Sequence, residues 1–291
     1  MRISIYLATV LSALAVSAWA AESPFFITYT HQLEEPGNLE IAAKSVTGKP
    51  SGANRFGATA LELEYGAKGW WTTELYLDGQ ATSHDSAIYT GYRFENRFRL
   101  LPREHWVNPV LYVEYEDING ADKSLLEVVG HDGEADISDL NSATRVEKKH
   151  ELEAKLILSS HVAGWTAAGN FIAEKNLKHA PYEFGYAVGI SRPLALLARP
   201  NECNACPENL QAGLEFYGGL GNHQSFGFRD TSHYIAPTIA WTLVNGTTLR
   251  VSPGFGITAQ SARLLLRVGV SYEMVQIGRS AARLLHAGTR P

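Results

Sequence analysis

Residues 150–160 read His150-Glu-Leu-Glu-Ala-Lys-Leu-Ile-Leu-Ser-Ser160. Leu152, Ala154, Leu156 and Leu158 share one parity, and Glu151, Glu153 and Lys155 share the other. A period of two is the signature of a strand with one apolar and one polar face, because successive side chains of an extended chain point to opposite sides. The same alternation runs outward in both directions. Leu61, Leu63 and Tyr65 flank Glu62 and Glu64, and Leu111, Val113 and Tyr115 flank Tyr112 and Glu114. We find no persuasive apolar stripe at helical spacing longer than three turns.

Twelve such segments are predicted, at about 38–47, 57–66, 69–79, 87–98, 107–116, 149–159, 164–174, 182–192, 209–219, 232–243, 247–257 and 262–274. Most have about ten residues or slightly more, the length a tilted strand needs to cross a bilayer, and the count is even. Connections alternate in length. Gly66–Gly69, His161–Gly164 and Val244–Thr247 are short, and Asn245-Gly246 signals a type I′ hairpin. Asp117–Lys148 is long and falls on the opposite side, as expected of an outer-membrane barrel. Arg99–Trp106 and Pro193–Glu208 are long for the short-turn side, which leaves the strand count open by two. Pro237 and Pro253 interrupt a closed sheet and predict a bulge near each. The fold expected is all-β, a closed antiparallel up-and-down transmembrane barrel of about twelve strands. A secreted β-sandwich is the alternative, with soluble expression as its sign.

Composition agrees with a folded chain: 291 residues, 45% apolar and 19% charged. Lys plus Arg number 25 against 30 Asp plus Glu, so nothing electrostatic points to a nucleic-acid partner. Residues 1–20, with Arg2, an apolar core and Ala18-Trp19-Ala20, form a secretory signal. The organisation expected is signal peptide 1–20, periplasmic lead-in 21–36, barrel 37–274 and C-terminal tail 275–291. The location implied is the outer membrane of a Gram-negative bacterium. Phe25, Phe26, Tyr65, Trp70, Trp71, Phe98, Trp106, Tyr115, Trp165, Tyr182 and Trp241 lie near predicted strand ends, where a bilayer places rings at its interfaces.

If the apolar faces meet lipid, parity turns Glu62, Glu64, Glu74, Arg93, Arg97, Glu114, Glu116, Glu153, Arg263 and Arg267 into the lumen. Glu40, Lys44, Asp78, Glu95, Glu151, Lys155, Glu174, Glu183, Glu215 and Arg250 join them. The balance is acidic. Either this wall selects for cations, or Glu and Arg pair across a narrow interior filled by side chains. The expected function is a passive channel or transporter for a small solute, possible cation preference included. A filled-lumen barrel acting through its outer surface is the runner-up. No cofactor is implied.

Catalytic and metal motifs are weak. The ten histidines form neither H-E-x-x-H nor H-x-H. His150 is roughly 30 Å of extended strand from Ser159 and Ser160. His223 with Ser225, and His84 with Ser83 and Asp85, are the nearest approaches to a hydrolase set. No enzymatic role is expected. Cys203 and Cys206 form a CxxC pair, read as a local disulfide or a metal clip. The 117–148 loop carries eight acidic residues and reads as a solvated surface loop rather than a calcium loop.

Two resemblances add to this. Arg267, Gly269, Tyr272 and Met274 in the last strand look like the C-terminal signal by which outer-membrane barrels are recognised for assembly. Here Met stands where Phe is usual, and seventeen residues follow. The phrases PFFITYTHQLEEPGNLEIAAKS (24–45) and YRFENRFRLLPREHWVNPVLYVEYED (92–117) resemble a group of uncharacterised proteobacterial outer-membrane barrels, similar to transporters linked to phenol-degradation operons (the MetA pathway). The resemblance implies a barrel and transport. It brings no catalytic residues. The partners expected of such a barrel are outer-membrane lipid, the barrel-assembly machinery and an unspecified small solute.

Overall fold

The computed structural model describes residues 23–178, 181–194 and 209–277. The predicted signal peptide, Cys203 and Cys206, and the tail beyond residue 277 lie outside the described residues. Twelve strands form: β1 Leu39–Gly48, β2 Phe56–Lys68, β3 Trp71–Thr82, β4 Ala87–Arg99, β5 Asn108–Asn119, β6 Lys148–Val162, β7 Trp165–Asn176, β8 Tyr182–Pro193, β9 Leu210–Asn222, β10 His233–Thr242, β11 Thr247–Gly256 and β12 Leu264–Met274. Each pairs antiparallel with its neighbours, and β1 pairs with β12 to close the barrel. Closure satisfies every strand edge within the sheet, the condition for crossing lipid with strands.

Alternation is inverted relative to a soluble protein. Leu61, Leu77, Phe94, Leu111, Leu156, Val188, Ile239 and Val268 face outward and are exposed, while Glu62, Asp78, Glu95 and Glu153 face inward and are buried. Apolar surface this continuous around a ring belongs to a bilayer-spanning wall. At the short-turn end, Trp70, Trp71 and Phe98 stack with centroids 6.3–6.4 Å apart, and Trp106 and Trp165 are exposed on the same side. Tyr89, Tyr182, Phe226 and Phe228 are exposed toward the other end.

Turn chemistry differs from expectation at two places. Gly246 has φ +86° but Asn245 is not in the left-handed region. The Gly246 N–H bonds the Leu243 carbonyl, which makes a type I turn closed by a left-handed glycine rather than type I′. Consecutive positive φ values occur instead at Ala163 (52°) and Gly164 (79°), a two-residue link that demands them even of alanine.

The prolines do not create bulges. Ile235 pairs with Phe255 and Ile239 with Val251, the same register on either side of a lapse in the ladder. Pro237 and Pro253 fall opposite each other in that lapse, so two missing donors share one seam. Register shifts occur elsewhere, at Gly66/Lys68, Asp78/Gly79 and Glu183/Gly185.

Two segments enter the barrel. The stretch before β1, expected as a periplasmic lead-in, crosses the lumen toward the short-turn end. Its Phe25, Ile27, Thr28, Thr30 and His31 are buried, so Phe25 and Phe26 do not belong to an interfacial belt. The β5–β6 connection, expected as a solvated loop, folds over the opposite mouth with two short helices, α1 Glu134–Ser138 and α2 Asn141–Thr144. The reason is apolar. Leu125, Leu126, Val128, Val129 and Ile137 of this cap join Phe26 and Ile27 in one cluster with Tyr217, Tyr234 and Leu265 of the wall. Burial of that surface outweighs the solvation of the loop's acidic residues, of which Glu127 is itself buried against Arg267.

Candidate functional site: the acidic lumen and its two inserts

The cross-strand register brings the inward glutamates into line. Glu273 lies opposite Glu40, Glu40 opposite Glu64, Glu64 opposite Glu74 and Glu74 opposite Glu95. The row continues through Glu114, Glu153, Glu174 and Glu183. Nine consecutive strands, from β12 through β8, each contribute one directly paired glutamate. Because strands of a barrel are staggered, such a row climbs as it turns. It starts beside the last residue of β12 and ends beside the first residue of β8, at opposite ends of the barrel. Directly opposed side chains sit about 5 Å apart, and like charges there repel.

Basic side chains offset part of this repulsion. Arg97 reaches Glu64 at 2.6 Å and Glu95 at 3.0 Å, and also bonds Glu74. Lys155 Nζ lies 2.9 Å from Glu153 Oε1. Arg93 is committed mainly to Asp78, donating at 2.9 and 3.0 Å, with Glu114 at 3.7 Å. Tyr112 donates to Glu114 at 2.9 Å, and Tyr76 donates to Glu74 and Glu95. Among the described residues Glu174 has neither hydrogen bond nor ion pair.

The N-terminal segment is held by its backbone. Glu215 on β9 accepts N–H bonds from Phe26 (3.0 Å), Ile27 (2.9 Å) and Thr28 (2.7 Å). Asn170 on β7 accepts the Tyr29 N–H at 2.6 Å and donates to its carbonyl at 2.9 Å. The Tyr29 ring lies edge-on to Tyr112 and beneath Lys155 and Arg97, and its hydroxyl donates to Glu95. His31 Nδ1 is 2.6 Å from Ser159 Oγ, and His31 Nε2 is 3.7 Å from Glu104. That trio has the outline of a nucleophile, base and carboxylate. However, Ser159 Oγ also accepts the His31 backbone N–H at 2.7 Å and is buried against the segment, so it acts as an anchor.

Glycines on the inner wall make room for both inserts. A Cβ on Gly185 or Gly219 would lie 2.2 or 2.1 Å from the cap carbonyls of Val128 and Gly130, and one on Gly189 or Gly213 would strike the Phe25 ring. Val129 and Gly130 bridge to Gly185 and Gly221, so the cap pairs with the wall's inner face. Arg267 donates to the Ser124 carbonyl and to Glu127, and Ser232 donates to the carbonyls of Glu127 and Asp132. Between segment and cap remains a cavity of about 80 Å³, lined by Phe26, Tyr29, Glu116, Asp132, Lys149 and Glu174 among others.

The remaining residues singled out in the sequence are placed as follows. Glu62, Glu116 and Arg267 point inward and are buried, whereas Arg263 precedes β12 and is exposed. Lys44 pairs with Glu62 at 2.5 Å. Gly269 faces the Phe26 ring, Tyr272 faces outward, and Met274 closes β12 opposite Leu39. The chain continues past Met274, where Ile277 donates to Gly37. His223 accepts the Tyr182 N–H.

Asp132 lies in the cap, and burial raises its carboxyl from 3.8 to about 7, with Lys149 opposing and Asp136, Glu183 and Glu151 reinforcing. A carboxyl whose pKa is raised by docking favours the docked state while protonated. Its contribution is complete below the ordinary value and is lost as pH rises through about 7. Protection of the amides of residues 126–137, taken relative to the intrinsic exchange rate at each pH, should therefore be greater at pH 5 than at pH 8, and Asp132→Asn should abolish that difference. The opposite pH dependence would refute the assignment.

No family model matches the sequence, and no curated protein does. Solved structures with a similar course are outer-membrane barrels. The KdgM porin in complex with disordered oligogalacturonate aligns at 8% identity and TM-score 0.47, covering 81% of this chain and 98% of that one. An outer-membrane channel from Pseudomonas putida F1 aligns at 12% and 0.49, covering 84% and 97%. The translocator domain of the autotransporter NalP from Neisseria meningitidis aligns at 13% and 0.42, covering 92% and 95%. These identities lie below those at which residue roles correspond.

Proposed function

We propose that the protein is a non-enzymatic outer-membrane channel of a Gram-negative bacterium that passes small cationic solutes, held shut by its own N-terminal segment and cap. The observation that carries this reading is the glutamate row, which joins one mouth to the other without leaving the lumen wall. A barrel that only needed filling gains nothing from nine like charges side by side, since each opposed pair destabilises it. Carboxylates about 5 Å apart do offer a cation successive sites, weakened where Arg97 and Lys155 compete for them, and conduction requires binding weak enough to leave.

One observation favours a second reading, a filled barrel that acts through its outer surface: the inserts leave a cavity of only about 80 Å³. The two readings separate in a planar bilayer under a salt gradient. The channel reading expects brief openings whose reversal potential reports cation preference. Anion-preferring or unselective openings would overturn the role of the row. Silence from both the wild type and a variant with the N-terminal segment released would leave the filled barrel.

A further inference from the structure

We propose that Glu114, Glu116 and Glu153 form a binding site for a hard divalent cation of the calcium class, beside the cavity between the N-terminal segment and the cap. The site rests on the lumen assignment and not on conduction. Glu114 and Glu116 are two residues apart on β5 and so share its inner face, and Glu153 lies directly opposite Glu114 on β6. One oxygen from each carboxylate lies within 4.8 Å of the other two. Oxygens that close can converge on one calcium-sized ion at about 2.4 Å with small side-chain rotations, since a symmetric trio need only close to about 4.2 Å.

A second observation concerns Glu116, the member of the cluster that has no ion-pair partner among the described residues, whereas Lys155 pairs with Glu153 and Arg93 stands near Glu114. Glu116 is only 8% exposed and lines the cavity. Among the described residues it nevertheless makes neither hydrogen bond nor ion pair, whereas buried charges are as a rule paired or bound to metal. Glu114 Oε1 is likewise buried without a hydrogen bond. The nearby cations do not fill the gap. Arg93 is bidentate to Asp78 and stands 3.7 Å from Glu114, and Lys155 bonds one oxygen of Glu153, leaving the other.

A neighbouring trio provides the contrast. Glu40, Glu62 and Glu64 meet the same spacing. There Lys44 lies 2.5 Å from Glu62 and Arg97 2.6 Å from Glu64, so protein cations already occupy it. At Glu116 the adjoining space is the cavity, large enough for waters to complete the six to eight oxygens that calcium takes. An all-oxygen donor set selects calcium, magnesium or manganese over zinc and copper, and three flexible carboxylates suit calcium's loose geometry better than magnesium's octahedron.

The test uses the full-length barrel folded in detergent and stripped with a chelator. Calcium chloride titrated into it should give saturable heat at one ion per barrel. Terbium should bind with luminescence sensitised by Tyr112, whose hydroxyl touches Glu114, and calcium should displace it. Glu116→Gln should weaken calcium at least tenfold, and Glu134→Gln, in the cap, should leave it unchanged. If Glu116→Gln loses the heat-modifiable mobility of a folded barrel, Glu116→Asp, which keeps the charge on a shorter stem, is expected to fold and still weaken binding. No saturable binding to the wild type, meaning that a proton balances Glu116, would overturn the proposal. Binding indifferent to both Glu116 variants would overturn it as well. A barrel that binds calcium yet never conducts would sink the channel reading and leave this site standing.

Discussion

Glu215→Ala is expected to turn a barrel that is closed most of the time into one that conducts steadily. The Glu215 carboxylate accepts three consecutive backbone N–H groups of the N-terminal segment, all within 3.0 Å. Hydrogen bonds to a charged group contribute about 1.5–3 kcal/mol each, and a buried donor left without its acceptor carries a further penalty. Water entering the vacated space recovers part of this, so a net shift on the order of 3 kcal/mol toward release is reasonable. That corresponds to roughly a hundredfold change in the ratio of closed to open barrels. The remaining anchors, Asn170 on Tyr29 and Ser159 on His31, limit the effect. Single-channel open probability is the measurement. Glu215→Gln, which keeps one acceptor oxygen but no charge, should fall between wild type and alanine. An open probability unchanged by Glu215→Ala would show that the segment does not gate the lumen.

In that opened background, replacing Glu153 and Glu174 with lysine should reverse the sign of the reversal potential under a salt gradient. The two residues are directly opposed on β6 and β7, and Glu174 makes no ion pair among the described residues, Lys149 being the basic group that shares its cavity. A unit charge about 5 Å from a passing ion contributes roughly 0.8 kcal/mol even at the dielectric constant of water, and each substitution changes the local charge by two units. Together the pair shifts the energy of a monovalent cation by on the order of 3 kcal/mol, about a hundredfold in relative permeability. Glu174→Gln alone should reduce cation preference without inverting it. Unaltered selectivity in the double variant would mean that ions do not follow the row.

The strands and the side to which each residue points were legible because parity is local. Glu62, Glu64 and Glu114 declare their face through the leucines and valines beside them. That nine glutamates stand in line was not legible. Alignment depends on the stagger between strands, and the stagger depends in part on register shifts at Gly66/Lys68 and Asp78/Gly79 that leave no mark on the hydrophobic pattern. The segment around Pro24–His31 was opaque for a related reason. Its alternation resembles that of a strand, and its partners are polar side chains far along the chain rather than a neighbouring ladder.

A trace of the two inserts did exist in the sequence. Gly185, Gly189, Gly213 and Gly219 fall at inward positions of β8 and β9, where a wall has no need of them unless another chain segment approaches closely. The cap was misjudged by weighing its eight acids above five of its apolar residues, Leu125, Leu126, Val128, Val129 and Ile137, which decide where it docks.

The pairing of Pro237 with Pro253 bears on the mechanics of the ring. Two imperfections placed on different seams would weaken the sheet twice. Set face to face they spoil one seam, and the register on either side is kept. That seam joins β10 to β11, within the three-strand arc that contributes nothing to the glutamate row. Distortion of the wall by the surrounding bilayer therefore concentrates at a compliant line on that side. The glutamate row lies on the other nine strands, so its carboxylate intervals are set by seams that this gap does not touch.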